Sequence, residues 1–265
     1  MSAVERNGER RSGHDVGFLL DHWEELIAKR GWKKTVIHNA GEWPVFAVEN
    51  GPAEAGEVGG IYVSAGVHGD ECAPPWALLE WAESRAKELG QFPFLIFPCL
   101  NPQGIAENTR VDKDGIDLNR NFQNAEISLI AAWQNFLAER KFRVAVNLHE
   151  DYEATGTYLY ELARSHSIGH RLLSACEKWI ARETVAEVDG SEFDNGLLCR
   201  EVDENVLRQV VEEDLEGGWP EAIWLYLAHT EDSFTFETPS ELELVRRIAA
   251  HREFLDEILI ASSLR

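Results

Sequence analysis

The amino-acid sequence predicts an α/β fold: a single domain of three layers, α/β/α, around a mixed, largely parallel central sheet of about eight strands. Three observations predict it. Short continuous apolar runs such as "IYVSAGV" and "FLIFPCL" have strand length and no polar alternation, as strands covered on both faces do. These runs alternate along the chain with amphipathic segments of helical period. The 265 residues are 44% hydrophobic, enough for one sizeable core, and show no internal repeat or linker.

The elements follow in order. Residues 1–14 are polar and read as a flexible N-terminal segment ahead of a domain spanning 15–265. "VGFLLDHWEELIAKRG" has helical spacing and ends on Gly31. "KTVIHNA" and "PVFAVEN" read as strands around the turn "GEW", and "GPAEAGEVGG" as a loop. After the strand "IYVSAGV", "PPWALLEWAESRAKELG" reads as a helix with prolines in its first turn and Gly90 past its end. The strand "FLIFPCL" leads into a turn-rich segment, "NPQGIAENTRVDKDGIDLNRNF". "SLIAAWQNFLAERK" and "SIGHRLLSACEKWIARET" read as helices, and "RVAVNLH" and "TYLYEL" as the strands between them. Residues 185–219 are acidic and show no clear period. "AIWLYLA" and "SFTFET" read as late core strands, and "ELELVRRIAAHREFLDEILIASSL" as a C-terminal helix.

Bulk charge narrows the partners. A net charge of -22 repels nucleic acid and anionic membranes and tolerates cationic ligands. Its simplest reading is a solvated acidic surface. The four cysteines form no CxxC pair and read as reduced thiols. The N-terminus has no apolar stretch of signal-peptide length. The longest apolar runs fall short of the ~20 residues a membrane helix needs. A soluble, cytoplasmic protein is expected.

In sheets of this type, ligand residues gather at the carboxyl ends of strands. Four such places carry reactive side chains. His68 and Glu71 follow "IYVSAGV"; Arg110, Asp117, Asn119 and Arg120 follow "FLIFPCL". His149 ends "RVAVNLH", and Glu237 ends "SFTFE". Two histidines and a carboxylate form a catalytic zinc set, with a fourth position left for water. A further carboxylate such as Glu237 can move that water's proton. Nearby arginines can stabilise an oxyanion or grip a carboxylate. His38, His166, His170, His229 and His251 have no partner pattern and read as structural or surface residues.

These residues resemble those of a known family. His68–Glu71 with His149 is similar to the HxxE…H zinc site of the M14 metallocarboxypeptidases. "NPQGIAENTR" resembles that family's run from Asn-Pro-Asp-Gly to an active-site arginine, with Gln103 where Asp is usual. "DGIDLNRNF" is similar to its carboxylate-binding segment, and "FTFE" to the strand ending in its catalytic glutamate. Order and spacing agree from about residue 35 onward.

The resemblance implies a zinc carboxypeptidase-like fold, one Zn2+ per chain, and roles by position. His68, Glu71 and His149 would hold the metal. Glu237 would be general base and acid. Arg110 would polarise the scissile carbonyl and stabilise the oxyanion. Asn119 and Arg120 would bind the terminal carboxylate of a peptide substrate. Asp117 would hydrogen-bond the outer nitrogen of His68; on its own it reads equally as a turn residue in "DGID". The implied reaction is cleavage of an amide next to a free carboxylate.

Some features depart from the pattern or leave rivals. Glu150 and Asp151 follow the third ligand, where digestive carboxypeptidases carry a small polar residue. Such acids either favour a basic substrate group or support the site, and Glu150 by itself reads as a solvated loop acid. Tyr226 reads as core, which leaves the family's substrate-capping tyrosine without a counterpart. Tyr158 and Tyr160 read as strand packing. The related succinylglutamate desuccinylase/aspartoacylase branch, which deacylates N-acyl amino acids, shares the ligand pattern. It tends to place Phe-Pro-Gly shortly after the arginine, whereas Gln123 and Asn124 follow Phe122 here. A cell-wall peptide amidase would also need a free carboxylate. A binding protein that kept only the fold would lack a ligand or the late glutamate, and all are present.

Overall fold

Strand-length apolar runs and amphipathic segments fold where their periods predict, with one exchange of type late in the chain. The computed structural model describes residues 5–6, 9–10, 12–50, 60–163, 166–188, 191–200 and 203–263. Half of the predicted N-terminal segment and all but Gly60 of the loop "GPAEAGEVGG" lie outside them. Strands β1 (Glu5–Arg6) and β2 (Glu9–Arg10) pair with each other. Helix α1 (Val16–Arg30) starts where Asp15 accepts the Phe18 N–H and stops at Gly31, whose φ of 67° suits glycine. Strands β3 (Lys33–Ala40) and β4 (Trp43–Glu49) form a hairpin.

The central units follow. β5 (Ile61–Ala65) leads to α2 (Ala73–Ser84) and α3 (Ala86–Leu89), and β6 (Phe94–Phe97) to α4 (Pro102–Glu107). A 3-10 turn, Leu118–Arg120, precedes α5 (Ser128–Leu137). β7 (Phe142–Asp151), β8 (Tyr158–Ala163) and α6 (Gly169–Cys176) come next. The acidic stretch contains β9 (Glu187–Val188), β10 (Ser191–Glu192), β11 (Leu197–Arg200) and α7 (Glu204–Glu213). The chain closes with α8 (Glu221–Ala228), β12 (Thr230–Pro239) and α9 (Leu244–Ser263). No helix among the described residues is long and apolar enough to cross a membrane.

Eight strands form one mixed sheet in the order β11-β8-β12-β7-β5-β6-β4-β3. The pairs β11–β8, β12–β7, β7–β5 and β5–β6 are parallel; the other three are antiparallel. One face packs on α1, α2, α6 and α9 through residues such as Trp76, Val146, Phe236 and Phe254. The other packs on α5 and α8 through Tyr62, Phe97, Trp133 and Leu225. This is the expected three-layer arrangement.

"AIWLYLA" is the exchange of type: it is helix α8, not a strand. Its apolar residues are used on two sides. Leu225 packs beneath the sheet, while Ile223 and Tyr226 pack with Leu162, Leu207 and Val211. A helix buried on two sides loses its amphipathic period, and a short apolar run then looks like a buried strand. Pro220 at the N-cap, with φ -65°, is the signal in the sequence that points to a helix start. The long helix predicted from the prolines is broken at Arg85 into α2 and α3. The turn-rich segment hides α4, opened by Asn101, whose side chain accepts the Gly104 N–H.

The loop after β5 is held by a contact that only glycine permits. A Cβ on Gly69 would lie 2.0 Å from the Gly104 carbonyl carbon and 2.3 Å from the Thr109 oxygen. The Gly69 N–H also donates to the Arg110 carbonyl at 3.3 Å. The segment bearing His68 is thereby laid against the segment bearing Arg110. Gly69→Ala is expected to cost at least about 3 kcal/mol, because backbone rather than a side-chain tip must move. The urea midpoint of the purified variant checks this.

Candidate metal centre and its cavity

Three buried side chains converge where β5 and β7 end. His68 and Glu71 sit in the turn between β5 and α2, and His149 near the end of β7; each is 3% exposed. One ligand atom from each lies within 4.8 Å of the others. His68 Nδ1 is 2.5 Å from Glu71 Oε1, and His149 Nδ1 is 3.0 Å from Glu71 Oε2. Despite that proximity, Glu71 Oε2 has no partner in hydrogen-bonding geometry. A buried carboxylate oxygen so placed is costly unless something else binds it.

The outer nitrogen of His68 is also occupied. Asp117 Oδ1 lies 3.2 Å from His68 Nε2, the placement expected from the resemblance. Asp117 is a turn residue as well, since the same oxygen accepts the Asn119 N–H at 2.9 Å. Its other oxygen accepts from Arg110 Nε at 3.1 Å. Arg110, 44% exposed along its side chain, is thus aimed at the cluster, with Nη1 3.9 Å from Glu71.

Burial pushes the Glu71 carboxyl up, but the charges of His68 and His149 outweigh it and hold the group well below the usual carboxylate range. Burial lowers His68, yet the charge of Glu71 and the hydrogen bond to Asp117 raise it to about 9. Two imidazole nitrogens and one carboxylate are a donor set that suits zinc. The orphaned Glu71 oxygen is the observation that says the residues present fit such an ion.

Glu237 stands beside the cluster because of strand register. It pairs with His149 across the parallel β12–β7 ladder and with Tyr158 across β8. All three face a cavity of about 690 Å³ that includes His68, Glu71 and Arg110 in its wall. Burial, the largest influence, drives the Glu237 carboxyl up; with Glu71 and Asp151 nearby it reaches about 8. Asn119 and Arg120 line the same cavity from the 3-10 turn. Arg120 Nη1 donates to the Asn119 carbonyl at 3.1 Å. Every candidate site residue is therefore brought to one place.

Several residues that the sequence left aside have defined positions. Glu221, 1% exposed, holds Asn119 from beneath: its backbone N–H donates to Asn119 Oδ1 at 3.0 Å. Its carboxyl accepts from Tyr62 Oη and from Ser64 Oγ, the latter at 2.9 Å. Ser64 accepts in turn from Asn147 Nδ2, two residues before His149. Burial raises Glu221 to about 7. No spacing rule could have found it inside an apolar run. Tyr158 and Tyr160 line the cavity, and Tyr158 Oη donates to Asp151 at 2.8 Å. Tyr226 is core, 1% exposed. Glu150 is not a solvated loop acid: it is 5% exposed and ion-paired with Arg247 at 2.6 Å. It belongs to β7, where the residue after an inward-facing His149 must enter the opposite layer.

Comparisons with known proteins bear on the family and the fold. The catalytic-domain model of the succinylglutamate desuccinylase/aspartoacylase family matches residues 58–182. That span holds His68, Glu71, Arg110, Asp117, Asn119, Arg120 and His149 and stops before Glu237. Among solved structures, a protein of Shewanella amazonensis provisionally described as a metallopeptidase superposes with a TM-score of 0.78 at 20% identity, over 93% of each chain. A metallo-carboxypeptidase from Burkholderia cenocepacia gives 0.62 at 14% identity, over 92% of this chain and 68% of its own. Bovine thrombin-activatable fibrinolysis inhibitor gives 0.59 at 14% identity, over 94% and 96%. No curated protein sequence matches the chain. The fold is carboxypeptidase-like, and the family match supports the resemblance to M14 enzymes together with the desuccinylase branch. Metal analysis of the purified protein is expected to find about one zinc per chain. A folded sample that cannot be loaded with zinc would show that the three side chains serve another purpose.

Proposed function

We propose that the protein is a zinc-dependent hydrolase that cleaves an amide bond next to a free carboxylate, releasing the C-terminal residue of a peptide. The observation that carries this reading is the register of Glu237 opposite His149, which sets a buried carboxyl beside a His-Glu-His cluster in one cavity. The family match and the shared fold support a hydrolase of the carboxypeptidase-like kind.

The residues divide the work. Zinc held by His68, Glu71 and His149 would supply Lewis-acid activation of a water and of the scissile carbonyl. Glu237, whose carboxyl a bound cation would hold in its ionised form, would take the proton of the attacking water and deliver it to the leaving nitrogen. Arg110, steadied by Asp117, faces the carbonyl oxygen and balances the charge that gathers there. Asn119 and Arg120 hold the substrate carboxylate. Arg120 suits that task because it forms no ion pair among the described residues, and its stem is pressed against Gly218. The four cysteines are unpaired, which favours a reducing compartment such as the cytoplasm.

A second reading is an N-acyl amino acid deacylase, favoured by the family whose model matches residues 58–182. Its substrate also ends in a free carboxylate, so the same residues would serve.

Two experiments test these assignments. Glu237→Gln is expected to keep its zinc and lose at least about 100-fold in kcat, the usual worth of a positioned general base. Full activity in that variant would remove Glu237 from the mechanism. A hydrolysis screen of the zinc-loaded protein should compare peptides of varied C-terminal residue with N-acyl amino acids. Release of amino acid from peptides alone is expected; turnover confined to acyl amino acids would select the second reading.

A further inference from the structure

The segments carrying the candidate site residues are also joined behind the sheet. His149 and Glu150 are successive residues of β7 and enter opposite layers. Behind the sheet, Glu150 Oε2 accepts the Ala73 N–H at 2.9 Å. Glu150 Oε1 accepts from Arg247 Nη1 at 2.6 Å and from Thr238 Oγ1 at 3.2 Å. Each connection leads back to the site. Ala73 lies two residues after Glu71, Thr238 directly after Glu237, and Glu150 directly after His149. One buried carboxylate therefore touches all three backbone segments that must be kept in register.

Stability alone does not account for this group. Buried ion pairs are often replaceable by apolar side chains of similar volume without loss of stability. A carboxylate has a different merit: its two oxygens can accept several hydrogen bonds from separate directions. Ala73 opens α2, so its N–H has no partner within the helix and needs one from outside. Thr238 has a second tie behind the sheet, with its hydroxyl 3.0 Å from His251 Nε2. Arg247, 8% exposed and rooted in α9, balances the charge at the point where the three segments meet.

We propose that Glu150, neutralised by Arg247, is a positioning residue that fixes the Glu71 segment against the His149–Glu237 strand pair from the far side of the sheet. The inference rests on the reading of His68, Glu71 and His149 as a metal-holding set. It adds a residue whose carboxylate hydrogen-bonds behind the sheet and not to the three ligand candidates.

The test compares wild type, the double variant Glu150→Leu/Arg247→Leu, and Glu150→Gln. Zinc affinity is read by competition with a chromogenic chelator, folding by thermal midpoint, and the clamp by amide exchange at Ala73 in metal-free protein. The double variant is expected to fold with a midpoint lowered by the Ala73 N–H left without its acceptor, to bind zinc about 10–100-fold more weakly and to exchange the Ala73 amide faster. Glu150→Gln keeps one acceptor oxygen and should recover part of the affinity. A folded double variant within threefold of wild-type affinity, with unchanged Ala73 exchange, overturns the proposal. Should the double variant not fold, Glu150→Gln decides alone: wild-type affinity and exchange overturn the proposal, and weaker binding with faster exchange supports it. If wild type itself binds no zinc, the metal reading falls, and Ala73 exchange in the Glu150 variants still decides the clamp.

Discussion

The parallel pairing of β12 with β7 is the constraint on which the rest of the site depends. It sets Glu237 opposite His149 and Thr238 opposite Glu150. Because side chains alternate along a strand, a one-residue slip of β12 would turn Glu237 and Thr238 to the wrong layers while His149 and Glu150 stayed in place. Such a slip is resisted from both sides. β12 is also paired with β8, and its back-facing Phe234 and Phe236 are at most 1% exposed. Phe236 stacks on Phe254 of α9 with centroids 4.3 Å apart. The apolar face of the strand thus fixes its register, and the register delivers the polar face to the cavity.

The layer beneath the site shows how polar groups are kept in a core without floating free. Tyr62, Ser64, Asn147 and Glu221 form a connected set, closed by Trp133 Nε1 donating to Tyr62 Oη at 3.0 Å. A buried network of this kind is worth its desolvation only when its members are satisfied. Asn147 Oδ1 is an exception: it is buried without a hydrogen-bond partner and belongs to a residue in the cavity wall. The network also has a positional consequence. Glu221 opens α8 and uses its N–H on Asn119, so the helix start, the strand β5 and the 3-10 turn are tied through one residue.

Much of this is legible in the sequence, and for physical reasons. The strands "IYVSAGV", "RVAVNLH" and "SFTFET" have composition and length that leave few alternatives, and the chemistry-bearing residues stand at their ends. The order of those ends therefore describes one edge of a sheet from residue types and spacing alone. What stays hidden depends on contacts between distant segments. Glu150 follows a metal-ligand candidate and looks like a loop acid until Arg247, 97 positions later, is found beside it. α8 is buried on two sides and shows no helical period. The acidic stretch 185–219 holds short strands and one helix whose surfaces are largely polar, so neither period stands out. Gly69 is a subtler case. Its position next to His68 is plain in the sequence, but its close approach to the backbone at Gly104 and Thr109 is not.

The two layers of the sheet bury carboxylates next to one another in space and compensate them by different chemistry. Behind the sheet, Glu150 faces the guanidinium of Arg247 at 2.6 Å. Burial pushes the Glu150 carboxyl up to about 6, and the charge of Arg247 opposes that rise. In the cavity, Glu71 faces the imidazoles of His68 and His149 instead. Burial of Glu71 requires positive charge nearby, but imidazoles can release protons and present lone pairs in their place. The same cluster can therefore exchange protons for a metal ion without leaving its carboxylate uncompensated in either state. An arginine at either histidine position would satisfy Glu71 electrostatically and close the site to metal. The alternation of the strand thus separates a fixed ion pair from an exchangeable one by a single residue.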